Sequence, residues 1–256
     1  MKRGKTGVLY VCIATHNDDP TVGLLLWKLR KVFQEFSREY HILVADDAST
    51  DGTRETLETY QRALPMTLIR QQEARGRAAA LDALFRDALG RSDRPKRDCV
   101  ATLPADFSVS PAVLPDLIKR FESGADVVIG EVELEHEPMG TRFVRKSASW
   151  LLKPGIALPG VRDLLSRVGI IRLVTLKNCY RDRPQALLET EGICADAELV
   201  ARAAANARQV VTVGVPPYHN GVDRTADPPV LASALRLFRA GRQLRIPAPQ
   251  VEVQHS

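Results

Sequence analysis

Uninterrupted apolar runs alternate with amphipathic stretches through the first half of the chain. Val8 to Ala14 (VLYVCIA) is apolar throughout and rich in β-branched residues, as a parallel strand covered on both faces reads. Asp19 then offers an N-cap and Pro20 a first helical position. Val22, Leu25, Leu26, Leu29, Val32, Phe33 and Phe36 recur at helical spacing. Further strands are predicted at His41 to Ala45, Met66 to Arg70, Cys99 to Leu103 and Asp126 to Gly130. Helices are predicted between them: Thr53 to Ala63, Gly76 to Leu89, and a segment capped by Ser110 and opened by Pro111 that runs to about Phe121. Five strand–helix alternations at short spacing predict an α/β fold, a Rossmann-like domain whose mostly parallel central sheet carries helices on both faces.

Beyond Gly130 the period changes. Glu131, Glu133, Glu135 and Glu137 alternate with Val132, Leu134 and His136, which places four carboxylates on one side of an extended strand, read as a solvated face. Helices are predicted at Arg142 to Leu152 and Ile193 to Asn206, and strands at Ile170 to Thr175 and Gln209 to Gly214. Val230 to Arg242 is an amphipathic helix, with Arg236, Arg239 and Arg242 beside Leu231, Leu235 and Phe238. Two readings of it stay equally open, an interfacial anchor or a helix packed on the core. Pro247 to Ser256 reads as a loose tail. With no flexible linker before it, the chain divides into a main domain over 1–227 and a C-terminal helix and tail over 228–256.

Composition narrows the class. The 256 residues are 45% apolar and 26% charged, enough for a sizeable core without metal or disulfide staples. Cys12, Cys99, Cys179 and Cys194 form no C-x-x-C pair, so zinc and redox-pair chemistry are not expected and a reduced, cytoplasmic compartment fits. No segment approaches the ~20 apolar residues of a spanning helix, so the expectation is a soluble protein, attached at most to the cytoplasmic membrane face. Lys and Arg total 36 against 31 for Asp and Glu, and this net charge of +5 favours anionic partners. No nucleic-acid motif or interleaved aromatics accompany it, so nucleic acid is not expected.

In a sheet of this kind ligands bind beyond the carboxyl ends of the strands. That directs attention to Thr15 to Asp19, Asp46 to Gly52, Gln71 to Arg77 and Pro104 to Ser108, all polar and charged. In VADDASTDGT (Val44 to Thr53) two adjacent carboxylates end a strand before a Ser/Thr/Gly turn. They suit hydrogen bonds from a base or ribose, with turn amides facing anions. They suit an Asx turn with helix capping equally well.

The order of segments is more telling. ATHND, DDASTDGT, QQEARGRAAALDA, LPADFSVSP and GADVVIGE follow one another, and then TRFVRKSASWLL, VRDLLSRVGIIRL, ADAELVARA and VGVPPYHNGVDRT. This series resembles the inverting family-two glycosyltransferases, with their nucleotide-diphospho-sugar transferase fold of the A type. Within them it is most similar to polyprenyl- and dolichyl-phosphate sugar synthases. The resemblance covers Val8 to Thr225 and implies transfer of a sugar from a nucleotide-sugar donor to a polyprenyl phosphate. It also implies roles. Thr15, Asp46 and Asp47 would hold the base and ribose, with Arg75 and Arg77 beside the phosphates. Asp106 would be the second acid of the Asp-x-Asp metal motif, holding Mg²⁺ or Mn²⁺. Arg142 and Arg145 would face phosphate groups of donor or acceptor. Arg172, Arg224 and Glu198 would stand near the reaction centre, and His219 in a loop that closes over the donor.

The chemistry is coherent. Cleavage of a glycosyl–phosphate bond builds negative charge that cations stabilise. A phosphate acceptor is already anionic and needs no general base, only cationic groups to hold it. Two departures stand out. Pro104 replaces the first metal acid, and proline cannot ligate a metal; this opens a second reading, a nucleotide-sugar-binding protein with weakened or lost catalysis. Glu131-Val132 stands where the family often has Ser-Arg. The Gln-x-x-Arg-Trp motif of processive synthases is missing, which implies single transfer.

Overall fold

A computed structural model describes residues 6–133, 139–218, 230–249 and 252–255. The elements follow in the order β1 (Leu9–Thr15), α1 (Asp19–Glu35), β2 (Tyr40–Asp46), α2 (Thr53–Gln61), β3 (Met66–Arg70), α3 (Arg77–Arg91) and β4 (Cys99–Thr102). A 3-10 turn at Pro111–Val113, capped by the Ser110 hydroxyl, leads into α4 (Leu114–Glu122). Then come β5 (Val127–Val132), α5 (Met139–Leu152), β6 (Gly169–Arg172), α6 (Leu173–Arg181), α7 (Ile193–Ala205), β7 (Val210–Val215), α8 (Val230–Gln243) and β8 (Val253–His255).

The described strands form one sheet in the order β3-β2-β1-β4-β6-β5-β7-β8. All pairings are parallel except those of β6, which runs antiparallel to β4 and β5. Strand alternation then sorts side chains into two cores. Leu9, Val11 and Ile13 of β1 face one way and join α1, α2 and α4 through Leu25, Leu29, Leu57 and Leu117. Tyr10 and Cys12 face the other way and join α3, α5, α6, α7 and α8 through Leu84, Ala148, Leu176, Ala197 and Leu237. Each fully buried Leu contributes about 1.5–3 kcal/mol relative to exposure, so the alternation itself fixes the register. The four cysteines are free and buried inside these cores. Burial pushes the Cys99 and Cys179 thiols up to about 12, which leaves them inert.

Two expectations need correction. The strand predicted at Ile170 to Thr175 stops at Arg172, and a helix begins at Leu173, because Leu173, Leu176 and Cys179 at helical spacing find one core to bury into. Part of the expected tail is ordered: Val253–His255 adds a parallel edge strand to β7, with Val253 buried. Gln250, Val251 and Ser256, like Leu134 to Glu137 of the alternating segment, lie outside the described residues.

Candidate active site

The loops beyond β1, β2 and β4 meet at the carboxyl pole of the sheet. Asn17, Ala48 and Phe107, one in each loop, have left-handed backbone at φ 57°, 56° and 53°, and no other described non-glycine residue does. Such strain persists where surrounding bonds over-determine it and is concentrated at functional sites. The bonds are visible. The Asn17 amide donates to Ser49 Oγ at 3.0 Å, and its side-chain carbonyl accepts from the Thr50 amide at 2.8 Å. Asp46 Oδ1 accepts from the Ser49 amide at 3.1 Å, and Asp51 from the Thr53 amide at 3.0 Å, the Asx turn and helix cap of the local reading. Asp47 does something else. Its two oxygens accept from the backbone amides of Arg75 and Gly76 at 2.7 and 2.8 Å and pin the loop beyond β3 across the end of β2. Gly76 is required there: φ is 87°, and a Cβ would stand 2.5 Å from Glu191 Oε2. Gln71, at the same pole, keeps a buried carbonyl oxygen with no partner among the described residues.

Around this frame lies an ionic cluster. Arg167 donates from Nη2 to Asp106 Oδ2 at 2.5 Å and to Ser108 Oγ at 3.1 Å. Arg77 grips Asp196 through Nε at 2.9 and 3.0 Å and Nη2 at 2.8 Å. Burial opposes charge on Asp106, but Arg167 and the Ser108 hydrogen bonds outweigh it and hold the carboxyl well below the usual carboxylate range. Burial likewise opposes charge on Arg167, and the carboxylates of Asp106, Asp196 and Asp18 outweigh it, holding the guanidinium firmly protonated. Asp18 is pushed up, first by burial and also by Asp106, against hydrogen bonds from Thr15 Oγ1 at 2.8 Å and the His16 amide at 3.0 Å. Three acids from the ends of β1 and β4 and the start of α7 thus face one guanidinium. A separate cleft of about 230 Å³, lined by Val8, Tyr10, His41, Arg91 and Asp98, lies at the opposite pole. Asp98 is there engaged by the Val8 amide and the Ser92 hydroxyl.

The model of the glycosyl transferase family 2 matches residues 10–168, more than half of the chain and every part of this site except the start of α7. The chain belongs to glycosyl transferase family 2. It is 28% identical over 159 residues to the dolichol-phosphate mannosyltransferase of Pyrococcus furiosus, covering 60% of this chain and 42% of that one. It is 28% identical over 154 residues to the undecaprenyl-phosphate 4-deoxy-4-formamido-L-arabinose transferase of Proteus mirabilis, covering 58% and 41%. The chain therefore spans about two fifths of the length of these curated relatives. The fold is shared with a mannosyltransferase from Pyrobaculum calidifontis solved in complex with GDP-Man and Mn²⁺ (TM-score 0.57, 18% identity, 94% of this chain and 74% of that one).

The structure brings together Thr15, Asp46, Asp47, Arg77, Asp106 and the backbone of Arg75, whose side chain is exposed. It separates others that the family resemblance grouped with them. Because β6 is antiparallel, Arg172 pairs with Cys99 at the amino end of β4, the pole opposite the acids. There it clamps buried Asp126 at 2.7 Å, caps the Ala125 carbonyl and stacks over Phe121, so it is a structural cation and not a reaction-centre group. Glu198 is wholly buried and engaged by Arg202, the Glu189 and Thr190 amides and the Thr190 hydroxyl, and so holds the approach to α7. Arg145 is committed to buried Asp163, whereas Arg142 is exposed on α5. His219, Asp223 and Arg224 lie outside the described residues. Sequence reasoning assigned no site role to Asp18, Arg167 or Asp196.

The divalent ion implied by the family does not suit this donor set. Position 104 is proline, Asp106 is already held by Arg167, and no three Asp, Glu, His or Cys side chains among the described residues group to hold a metal. An ion on Asp106 would stand beside a fixed guanidinium. Charges of +2 and +1 repel by about 7 kcal/mol at ~5 Å and an effective dielectric of ~20.

Proposed function

We propose that the chain transfers a sugar, with inversion, from a nucleoside-diphosphate donor at the carboxyl pole to a polyprenyl phosphate. The observation that carries this reading is the convergence of Asp18, Asp47, Asp106, Asp196, Arg77 and Arg167 at one pole, framed by three left-handed loop residues. The Asp46–Ser49 turn and the Gln71 side-chain carbonyl, unpartnered among the described residues, offer polar groups for base and ribose. Arg77 and Arg167 offer positive charge for the diphosphate. The acceptor phosphate oxygen attacks the anomeric carbon from the face opposite the diphosphate. As the new C–O bond forms, the old one breaks and its electron pair leaves on the diphosphate. No proton has to be removed from the acceptor, in keeping with the engagement of Glu198 elsewhere.

Support for a lipid acceptor comes from the relatives' names and from α5 and α8. These helices pack so closely that a Cβ on Gly241 would stand 2.5 Å from the Leu151 carbonyl. Their outer faces expose Phe143, Trp150, Leu231, Leu235 and Phe238 among Arg142, Lys146, Arg236, Arg239 and Arg242. Such a face suits an anionic lipid surface. The Arg145–Asp163 pair ties α5 to the segment that carries Arg167. No helix among the described residues is long and apolar enough to cross a membrane. The second reading, donor binding without turnover, rests on Pro104. A thermal-shift screen of UDP- and GDP-sugars tests the common core of both: one donor should stabilise the wild type selectively and Asp47→Ala not at all. Equal shifts in both proteins would remove the site.

A further inference from the structure

We infer that the Arg167 guanidinium is the cation on which the donor's diphosphate rests, so that donor binding needs no divalent ion. This deepens the nucleotide-sugar reading and rests on it. Arg167 is held where the Asp-x-Asp carboxylate would hold a metal, on Asp106 itself, with Ser108 as second acceptor. Both of those bonds use Nη2. Nε and Nη1 donate to no described residue, and the side chain keeps 33% of its surface exposed. A guanidinium has five N–H donors in a rigid fork, which matches phosphate oxygens. Two of them orient Arg167 here and the rest remain for a ligand. Asp18 and Asp196 lie near enough to add to its charge stabilisation, and Arg77 offsets Asp196. When the anomeric C–O bond breaks, its electron pair goes to the diphosphate oxygen. Arg167 faces that charge without itself gaining or losing a proton. The arrangement also gives Pro104 a rationale: once a fixed cation occupies Asp106, a second carboxylate at position 104 has no ion to hold.

Isothermal calorimetry with UDP, GDP, ADP, CDP and dTDP tests this on wild type, Arg167→Ala and Arg167→Lys, each in EDTA and in MnCl₂. The diphosphate that binds wild type should do so equally in both buffers, within about twofold. Charge-assisted bonds of this kind make Arg167→Ala weaker by about tenfold to a hundredfold in EDTA, with Arg167→Lys between. In Arg167→Ala, Mn²⁺ should recover part of the loss because no fixed guanidinium then stands on the Asp106 carboxylate; a merely structural arginine gives no such metal rescue. Circular dichroism confirms that each variant is folded, and if Arg167→Ala is not, Arg167→Lys carries the comparison. Wild-type binding that Mn²⁺ tightens tenfold or more overturns the inference and leaves the nucleotide site standing. Unchanged affinity in folded Arg167→Ala and Arg167→Lys also overturns it. Binding of none of the five in either buffer removes the nucleotide reading and this inference together.

Discussion

Left-handed backbone at Asn17, Ala48 and Phe107 raises the free energy of the folded chain by about 1–2 kcal/mol per residue. Ala48 is the cleanest place to measure it, since its methyl does nothing that glycine could not. Ala48→Gly should stabilise the protein by about 0.5–1 kcal/mol, the relief of the Cβ clash less the added chain entropy. Differential scanning calorimetry should show a rise of about 1–4 °C. The Arg167–Asp106 pair makes a second residue-scale prediction. Asp106 is depressed in the folded state, so its contribution to stability is present above the ordinary carboxylate pKa and is lost as pH falls through the folded value. Arg167→Gln should therefore cost on the order of 2 kcal/mol in urea melts at neutral pH. That gap should narrow as pH drops below ~3.8. A gap independent of pH would mean that the pair does not couple. Asp47 and Asp106 were legible at this scale because a carboxylate at a strand end is a conspicuous pattern. Arg167 was not, since nothing in SRVG distinguishes a site arginine from a surface one.

The antiparallel course of β6 decides which arginine stands at the carboxyl pole. Arg167 and Arg172 are five residues apart, on the order of 15 Å of extended chain, and that span carries them to opposite poles. Periodicity gives a strand its faces and not its direction, so the mostly parallel sheet was readable and the reversal of β6 was not. The strands β1, β2, β4 and β5 were legible because their centres are buried on both faces and carry apolar runs, and β3, a half-buried edge strand, because it fills the next place in the strand–helix alternation. β8 was missed because three residues at an edge carry no periodic signal. Arg172→Met should cost about 2–4 kcal/mol, because Asp126 loses a buried partner but retains Arg208. Nucleoside-diphosphate affinity of the folded variant should stay within about twofold of wild type, as a residue at the far pole demands. A large loss of affinity with stability intact would return Arg172 to the reaction centre.

For the molecule as a whole, the proposed donor site and the Arg172–Asp126 clamp lie at opposed poles, and the α5–α8 face is the surface we propose for the lipid. The amphipathic character of Val230 to Arg242 was legible, but its partner was not. α8 buries Leu237 and Ala240 against the core, as the packed reading expects, and it exposes Leu231 and Phe238, on which the interfacial reading is to be tested. Cosedimentation with vesicles containing phosphatidylserine should show binding that weakens as salt rises. Trp150→Ser with Leu231→Ser should reduce it by about tenfold or more, since each side chain carries about 1.5–3 kcal/mol of burial. Unaltered binding in that variant would detach the face from the membrane. The most direct measurement is transfer itself: undecaprenyl phosphate in vesicles, a panel of radiolabelled UDP- and GDP-sugars, and extraction of the lipid product. The account predicts that one donor yields a single-sugar phospholipid with inverted anomeric configuration. A donor that binds tightly yet gives no lipid-linked sugar, or gives one with retained configuration, would contradict it.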